Sequence, residues 1–163
     1  HQMSLIAYHL PLDCHAEFGN NKALLDQLGL VGGQPIAEEN GLLWSVPLPN
    51  AMTIDQLALQ VQSALGRAPM VIESSRGSEI LSRLVVCTGG AQDYLTKALS
   101  YGADVYLSGE ISERTTHEAR ELGVHYIAAG HHATERYGIQ ALGQKLASTL
   151  GVDVAFFDDH NPA

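Results

Sequence analysis

From about residue 84 onward the sequence alternates short apolar runs with longer amphipathic ones: "RLVVCT", "AQDYLTKALSYG", "ADVYLSG", "SERTTHEARELG", "VHYIAAG", "TERYGIQALGQKLASTLG" and "VDVAFF". Strand-sized and helix-sized segments alternating this closely imply parallel βαβ units, because a parallel strand can be reached only by a crossover connection. The helices carry their own boundary signals. Ser112 reads as an N-cap and Gly123 as a stop. Ile139, Leu142, Leu146 and Leu150 recur at helical spacing as one apolar stripe, which Gly151 is placed to end.

The earlier residues read as a smaller unit. "GLLWSVPL" and "PMVIES" have strand character and flank "TIDQLALQVQSALG". There Thr53 and Gln56 fit a capping box, and Leu57, Val61, Ala64 and Leu65 form the buried face. A helix over "NNKALLDQLG" precedes the turn-rich "VGGQPIAEENG", and "LIAYHLPLD" reads as a core strand followed by a loop. At 163 residues the chain can build one good core or two small lobes that share an interface.

Charge narrows the function classes. Eighteen acidic against nine basic residues give a net charge of −9, which argues against a phosphate-backbone surface and hence against nucleic acid as a partner. The apolar runs are too short to cross a membrane, and the first residues lack the basic and apolar regions of a secretory signal, so a cytoplasmic protein is expected. Cys14 and Cys87 have no paired spacing and read as free thiols, with Cys87 buried at a strand end. Eight histidines beside nine Lys plus Arg are the first hint of metal chemistry.

In a parallel sheet the loops leaving the carboxyl ends of the strands share one edge, where ligands bind. The unusual polar residues fall there. His9 and Asp13 follow "LIAY", Thr88, Gly89 and Gly90 follow "VVC", Ser108, Gly109 and Glu110 follow "VYL", and "GHHATE" follows "YIAA". If a helix begins near His131, then His131 and Glu135 stand at i and i+4 and can reach one metal or bridge two, while His132 points elsewhere. An imidazole with a carboxylate suits Zn, Mn, Fe or Co better than Ca. The same six residues also fit the polar start of a surface helix, with Glu135 favoured by the helix dipole. Asp13 has the alternative of capping the next segment, and Glu110 and His117 the alternatives of surface capping or a satisfied side-chain hydrogen bond. "TGG" before a helix could offer N–H groups to a phosphate, but it lacks the lysine of a P-loop. His125 reads as a packed strand residue, and His15 and His160 attract no role.

Together, "YHLPLD", "CTGGAQDYL", "DVYLSGEISERTTHEAREL" and "YIAAGHHATERYGIQAL" resemble the NIF-three-like proteins, the group labelled type 2 GTP cyclohydrolase I homologues. The likeness runs from about residue 4 to the closing "NPA". It implies an α/β protein of two related lobes, with parallel or mixed sheets flanked by helices, assembled as a homohexameric ring with pairs of divalent metals facing an inner cavity. Residues 1–30 and 124–163 would belong to the metal-binding lobe and 31–123 to the second. The resemblance implies metal ligands at Asp13, His131 and Glu135, and places His9, Glu110 and His117 near the metals. It also implies two further ligands from an adjacent "HH" pair after an early strand, and nothing before "HLPLD" matches that pair; His1 precedes the strand rather than following one. The family's N-terminal portion is therefore expected to be missing, with partial or no metal occupancy in this chain.

Two functions follow as expectations. In the first, the complete protein is a divalent-metal-dependent hydrolase acting on a nucleotide-like or pterin-like small molecule, with Glu110 or His117 moving protons. In the second it is a non-catalytic metal-binding scaffold or interaction module. A weaker third reading is a phosphate-ligand binder that uses Gly90 and the neighbouring helix N-termini.

Overall fold

A computed structural model describes residues 2–75 and 80–162; His1 lies outside them. The chain forms α1 (Leu10–Asp13), α2 (Asn20–Gln27), β1 (Gln34–Pro35), β2 (Trp44–Met52), α3 (Ile54–Leu65), β3 (Met70–Ile72) and β4 (Leu81–Cys87). It continues through α4 (Leu95–Ser100), β5 (Val105–Ser108), α5 (Glu113–Leu122), β6 (His125–Ala128) and α6 (His131–Leu150). One six-stranded sheet has the order β1-β2-β4-β5-β6-β3. Its centre, β4-β5-β6, is parallel as the alternating pattern predicts, and β1, β2 and β3 join antiparallel. The sheet takes strands from both sides of residue 123.

Both faces of the sheet are covered, because successive side chains of a strand point to opposite faces and here both sets are apolar. Leu84, Val86, Val105 and Leu107 join Leu24 of α2 and Leu57 of α3 in one core. Val85, Cys87, Tyr106 and Tyr126 join Leu95 of α4 and Ala119 of α5 in the other. The three-layer α/β arrangement thus follows from strands that are apolar on both faces.

Local signals place the helix ends. Thr53 and Gln56 form a reciprocal capping box at the start of α3. Ser112 caps α5, and Gly123 and Gly151 end α5 and α6 in the left-handed conformation. Among the described residues no helix is long and apolar enough to cross a membrane.

Three expectations are corrected. Residues 5–8, read as a core strand, form no strand, and Leu5 is 96% exposed. "VDVAFF" likewise forms no strand, and Phe157 is 89% exposed. A strand needs a neighbour to take its backbone hydrogen bonds, and the two sheet edges are held by β1 and β3, which pair with neither segment. The stripe on α6 is also exposed at Ile139, Leu146 and Leu150. α6 instead buries Ala133, Thr134, Gly138 and Gly143. Small residues let it approach α2 closely, and a methyl group at Gly138 would overlap Asn20 Oδ1.

Candidate functional site

Three of the four polar loops named from the sequence leave the carboxyl ends of β4, β5 and β6 and are hydrogen-bonded to one another. Gly89 O accepts from Gly109 N–H at 2.9 Å, and Gly109 O accepts from Gly130 N–H at 2.9 Å. The contact is tight enough to require glycine. A methyl at Gly109 would lie 2.7 Å from both Gly89 O and the His131 Cα, and one at Gly89 would overlap Glu135 Oε1 and lie 3.1 Å from His131 Nε2. The "TGG" turn is therefore pressed against the first turn of α6.

α6 begins at His131, so His131 and Glu135 share a helix face as their spacing predicts. His131 sits between two carboxylates: Nδ1 lies 2.6 Å from Glu110 Oε1, and Nε2 lies 3.2 Å from Glu135 Oε2. The hydrogen bond to Glu110 raises the imidazole's pKa above its ordinary value, partial burial opposes this, and Glu135 adds to it. Burial likewise raises the Glu135 carboxyl, with the Asp13 charge adding and His131 pulling the other way.

Asp13 arrives by a route the sequence did not suggest. It ends α1, a single turn that starts at Leu10 and carries Pro11 next, rather than lying in a loop after a strand. It does not cap α2, whose N-cap is Gly19. Its buried carboxylate accepts from Asn20 Nδ2 at 2.6 Å, and Asn20 Oδ1 accepts from Gly138 N–H at 3.2 Å. His9 Nε2 lies 3.8 Å from Asp13 Oδ2, with its own ring largely in solvent. A cavity of about 270 Å³ brings together His9, Asp13, Thr88, Gly90, His131 and Glu135. His117 is not among its lining residues and stands exposed on α5.

His132 points away from this group, toward Asp158 at 3.2 Å. The phosphate reading of "TGG" loses ground because two of its three N–H groups, those of Thr88 and Gly89, are used within the protein, as is that of the following Ala91. Thr88 N–H donates to Asn21 Oδ1, Gly89 N–H to Thr134 Oγ1 and Ala91 N–H to Ser108 Oγ. Both thiols are poor ligands, since burial pushes Cys87 up to about 12 and raises Cys14.

The donor set suits a borderline divalent cation: one imidazole nitrogen and the carboxylates of Glu135 and Asp13 across the same cavity. The carboxylate of Glu110 on the far nitrogen of His131 is the outer support that metal-binding histidines use to fix ring orientation. Among the described residues, no three His, Cys, Asp or Glu side chains converge closely enough to hold a cation by themselves.

The supporting residues were the part hidden in the sequence. Tyr106 and Tyr126 face each other across β5 and β6, edge to face at 5.6 Å. Tyr106 Oη–H donates to Ala91 O at 2.7 Å, and Tyr126 Oη–H donates to Glu110 O at 2.5 Å. They brace two of the site loops from beneath. Asn20, Asn21 and Thr134 are buried for the same purpose. The only available signal was a hydroxyl or amide inside an otherwise apolar pattern.

A model of the family Duf34/NIF3 (NGG1p interacting factor 3) matches residues 1–162. The chain belongs to this family. Among its NIF3 relatives, the "GTP cyclohydrolase 1 type 2 homolog" of Allochromatium vinosum is 50% identical over 161 residues, which is 99% of this chain and 63% of that protein. The protein of the same name from Pseudomonas aeruginosa is 47% identical, over 99% of this chain and 64% of the relative. The chain thus spans less than two thirds of the length of these curated relatives. A solved structure titled "protein ybgI, unknown function" superimposes with a TM-score of 0.87 at 42% identity, covering 96% of this chain and 62% of that one. "Reduced HcgD" from Methanocaldococcus jannaschii gives a TM-score of 0.74 at 26% identity, over 90% and 57%.

Proposed function

We propose that this NIF3 chain is the larger part of a divalent-metal-dependent hydrolase acting on a nucleotide-like or pterin-like small molecule. The observation that carries the reading is His131 held between Glu110 and Glu135, with Asp13 lining the same cavity. Asp13, His131 and Glu135 would hold the metal, and a cation bound there supplies a water acidic enough to act as hydroxide near neutral pH. We take the remaining ligands to lie in the third of the relatives' length that this chain does not span.

The chain's own residues have distinct parts. Glu110 keeps the His131 ring oriented and, at the rim with half its surface in water, is placed to carry protons between the site and solvent. Asn20 fixes Asp13 by donating to one carboxylate oxygen, which leaves the other directed elsewhere. Gly89 packs against Glu135, where even a methyl group would overlap the carboxylate. His117 has no comparable placement, so Glu110 is the stronger candidate for proton transfer.

The names of the relatives make GTP the first substrate to try. The full-length protein, loaded with Mn, Zn, Fe or Co, is incubated with GTP and related nucleotides, and Glu135→Ala is compared for metal content and turnover. Turnover lost together with metal supports the reading; no turnover with any of the four metals sinks it. For this 163-residue chain alone, elemental analysis is expected to find partial or no occupancy.

A second reading is a metal-binding scaffold that assembles as a ring, in the cytoplasm, without catalysis. It is favoured by the apolar side chains left in solvent, Leu5, Ile6 and Phe157 together with the outer face of α6. Loss of assembly in Glu135→Ala, with no activity to lose, would select it.

A further inference from the structure

The loops after β4 and β5 are tied to the first turn of α6 by a closed circuit of hydrogen bonds, and the Thr134 hydroxyl closes it. We propose that Thr134 is a positioning residue for the metal, aiming His131 Nε2 and the Glu135 carboxylate into the cavity they share with Asp13. The inference rests on the proposed metal site and adds a residue that acts on it only through others: Thr134 is fully buried and does not line that cavity.

Glu110 Oε1 holds His131 Nδ1 at 2.6 Å, and Glu110 N–H donates to Gly89 O at 3.2 Å. Gly89 N–H donates to Thr134 Oγ1 at 3.0 Å. The Thr134 hydroxyl proton then goes back to the helix, where Gly130 O and His131 O both lie at 2.9 Å. Either acceptor returns the circuit to the start of α6. The Gly89 peptide is its junction, since Gly89 O also accepts from Gly109 N–H at 2.9 Å and from Ser108 Oγ–H at 3.1 Å. On its Cα side Gly89 packs against both proposed ligands: an added methyl would overlap Glu135 Oε1 and lie 3.1 Å from His131 Nε2. A shift of this one residue is therefore felt by Glu110 and by both members of the His131–Glu135 pair.

A hydroxyl both accepts and donates, so one atom takes the Gly89 N–H and gives its own proton to the preceding turn, as a helical threonine is able to do. Valine has nearly the same shape and does neither. In its place the buried Gly89 N–H would have no partner, and a peptide in that state shifts to recover a bond or bears the full cost of its burial. The orientation of a metal-binding histidine depends on the outer groups that hold it. Here Glu110 holds His131, Gly89 holds Glu110, and Thr134 holds Gly89.

The test measures Zn and Co affinity of the full-length protein by chelator competition and records the Co(II) visible spectrum at saturation. Thr134→Val is expected to weaken both metals about 10- to 100-fold, the range for losing a group that orients a metal-binding histidine, and to shift the Co(II) bands. Thr134→Ser keeps the hydroxyl and should keep the parent's affinity and spectrum. Thr115→Val is the stability control: Thr115 is equally buried, and its hydroxyl serves the N-cap of α5. It should lower the melting temperature and leave metal binding unchanged. The proposal is overturned if Thr134→Val binds metal as the parent does, if Thr134→Ser is as weak as Thr134→Val, or if Thr115→Val weakens metal as much. Affinity is read without turnover. Tight metal binding with no hydrolysis of any nucleotide would sink the hydrolase alone, and hydrolysis in the parent with unaltered metal affinity in Thr134→Val would sink this inference alone.

Discussion

Replacing Gly138 by alanine should destabilise the protein although it improves the helix propensity of α6. Gly138 faces the first turn of α2, and its N–H donates to Asn20 Oδ1 at 3.2 Å. An added methyl would overlap that oxygen and lie 3.0 Å from Asn20 Cγ and 3.1 Å from the Asn20 backbone N. With backbone among the neighbours, a rotamer change of Asn20 cannot relieve the clash. The amide must move, and with it goes the 2.6 Å hydrogen bond that Asn20 gives to the buried Asp13 carboxylate.

Overpacking costs about 1–3 kcal/mol and a lost bond to a buried charged group about 1.5–3, against a helix gain of about 1. The net is a loss of roughly 1.5–5 kcal/mol, or a fall in Tm on the order of 10 °C for a domain of this size. Thermal denaturation followed by circular dichroism measures it. Gly143→Ala on the same helix is the internal comparison, because its methyl would meet only Val154 Cγ1 at 2.9 Å, the tip of a side chain in the strandless segment after α6. That variant should hold or raise Tm by about 2–4 °C. If Gly138→Ala also raised Tm, propensity would outweigh packing and the account of Asp13 being fixed through α2 and α6 would be wrong.

Acid stability should depend on Asp104. Burial opposes its ionisation, but hydrogen bonds from Ser82 Oγ–H, Ser82 N–H and Arg83 N–H outweigh that and hold its carboxyl below the ordinary aspartate value. A carboxyl lowered by folding stabilises the protein above its unfolded pKa of about 3.9 and loses that contribution as pH falls through the folded value. Asp104→Asn should therefore cost about 1 kcal/mol near pH 7, discounted for partial exposure, with the gap to the parent closing below about pH 4; a gap unchanged down to pH 2 in urea titrations would contradict it. Gly89→Ala should lower Tm more than Gly66→Ala. Both have φ +71°, but only Gly89 faces a neighbour, Glu135, so equal losses would show that backbone strain alone is being measured. Tyr106→Phe removes the bond to Ala91 O in a fully buried place, and a loss of about 1–3 kcal/mol by chemical denaturation is expected; a neutral result would remove Tyr106 from the support of the loop.

The helices were legible because their signals are local. Thr53 with Gln56, Ser112, Gly123 and Gly151 act within one turn of the backbone they cap, and the pair His131 and Glu135 needs only the helical repeat to share a face. The parallel order of β4, β5 and β6 was equally readable from the crossover helices between them. Residues 5–8 and "VDVAFF" misled for the converse reason: apolar composition allows a strand, but only a neighbouring strand makes one, and that neighbour is a fact of tertiary structure.

The site divides along the same line. Sequence by itself determined the α/β architecture, the loops at the carboxyl edge and the His131–Glu135 pair, all of which depend on spacing along the chain. Tertiary structure alone decided that Glu110 would hold His131, and that Asp13 would be fixed by Asn20, which answers in turn to Gly138, a bond that spans 118 positions. It also decided that the segment after α6 would set Phe157 beside the site, while His117, no less promising on paper, was left in solvent on α5. Side-chain hydrogen bonds depend on distances of a few ångströms between elements remote in sequence, and no periodicity encodes them.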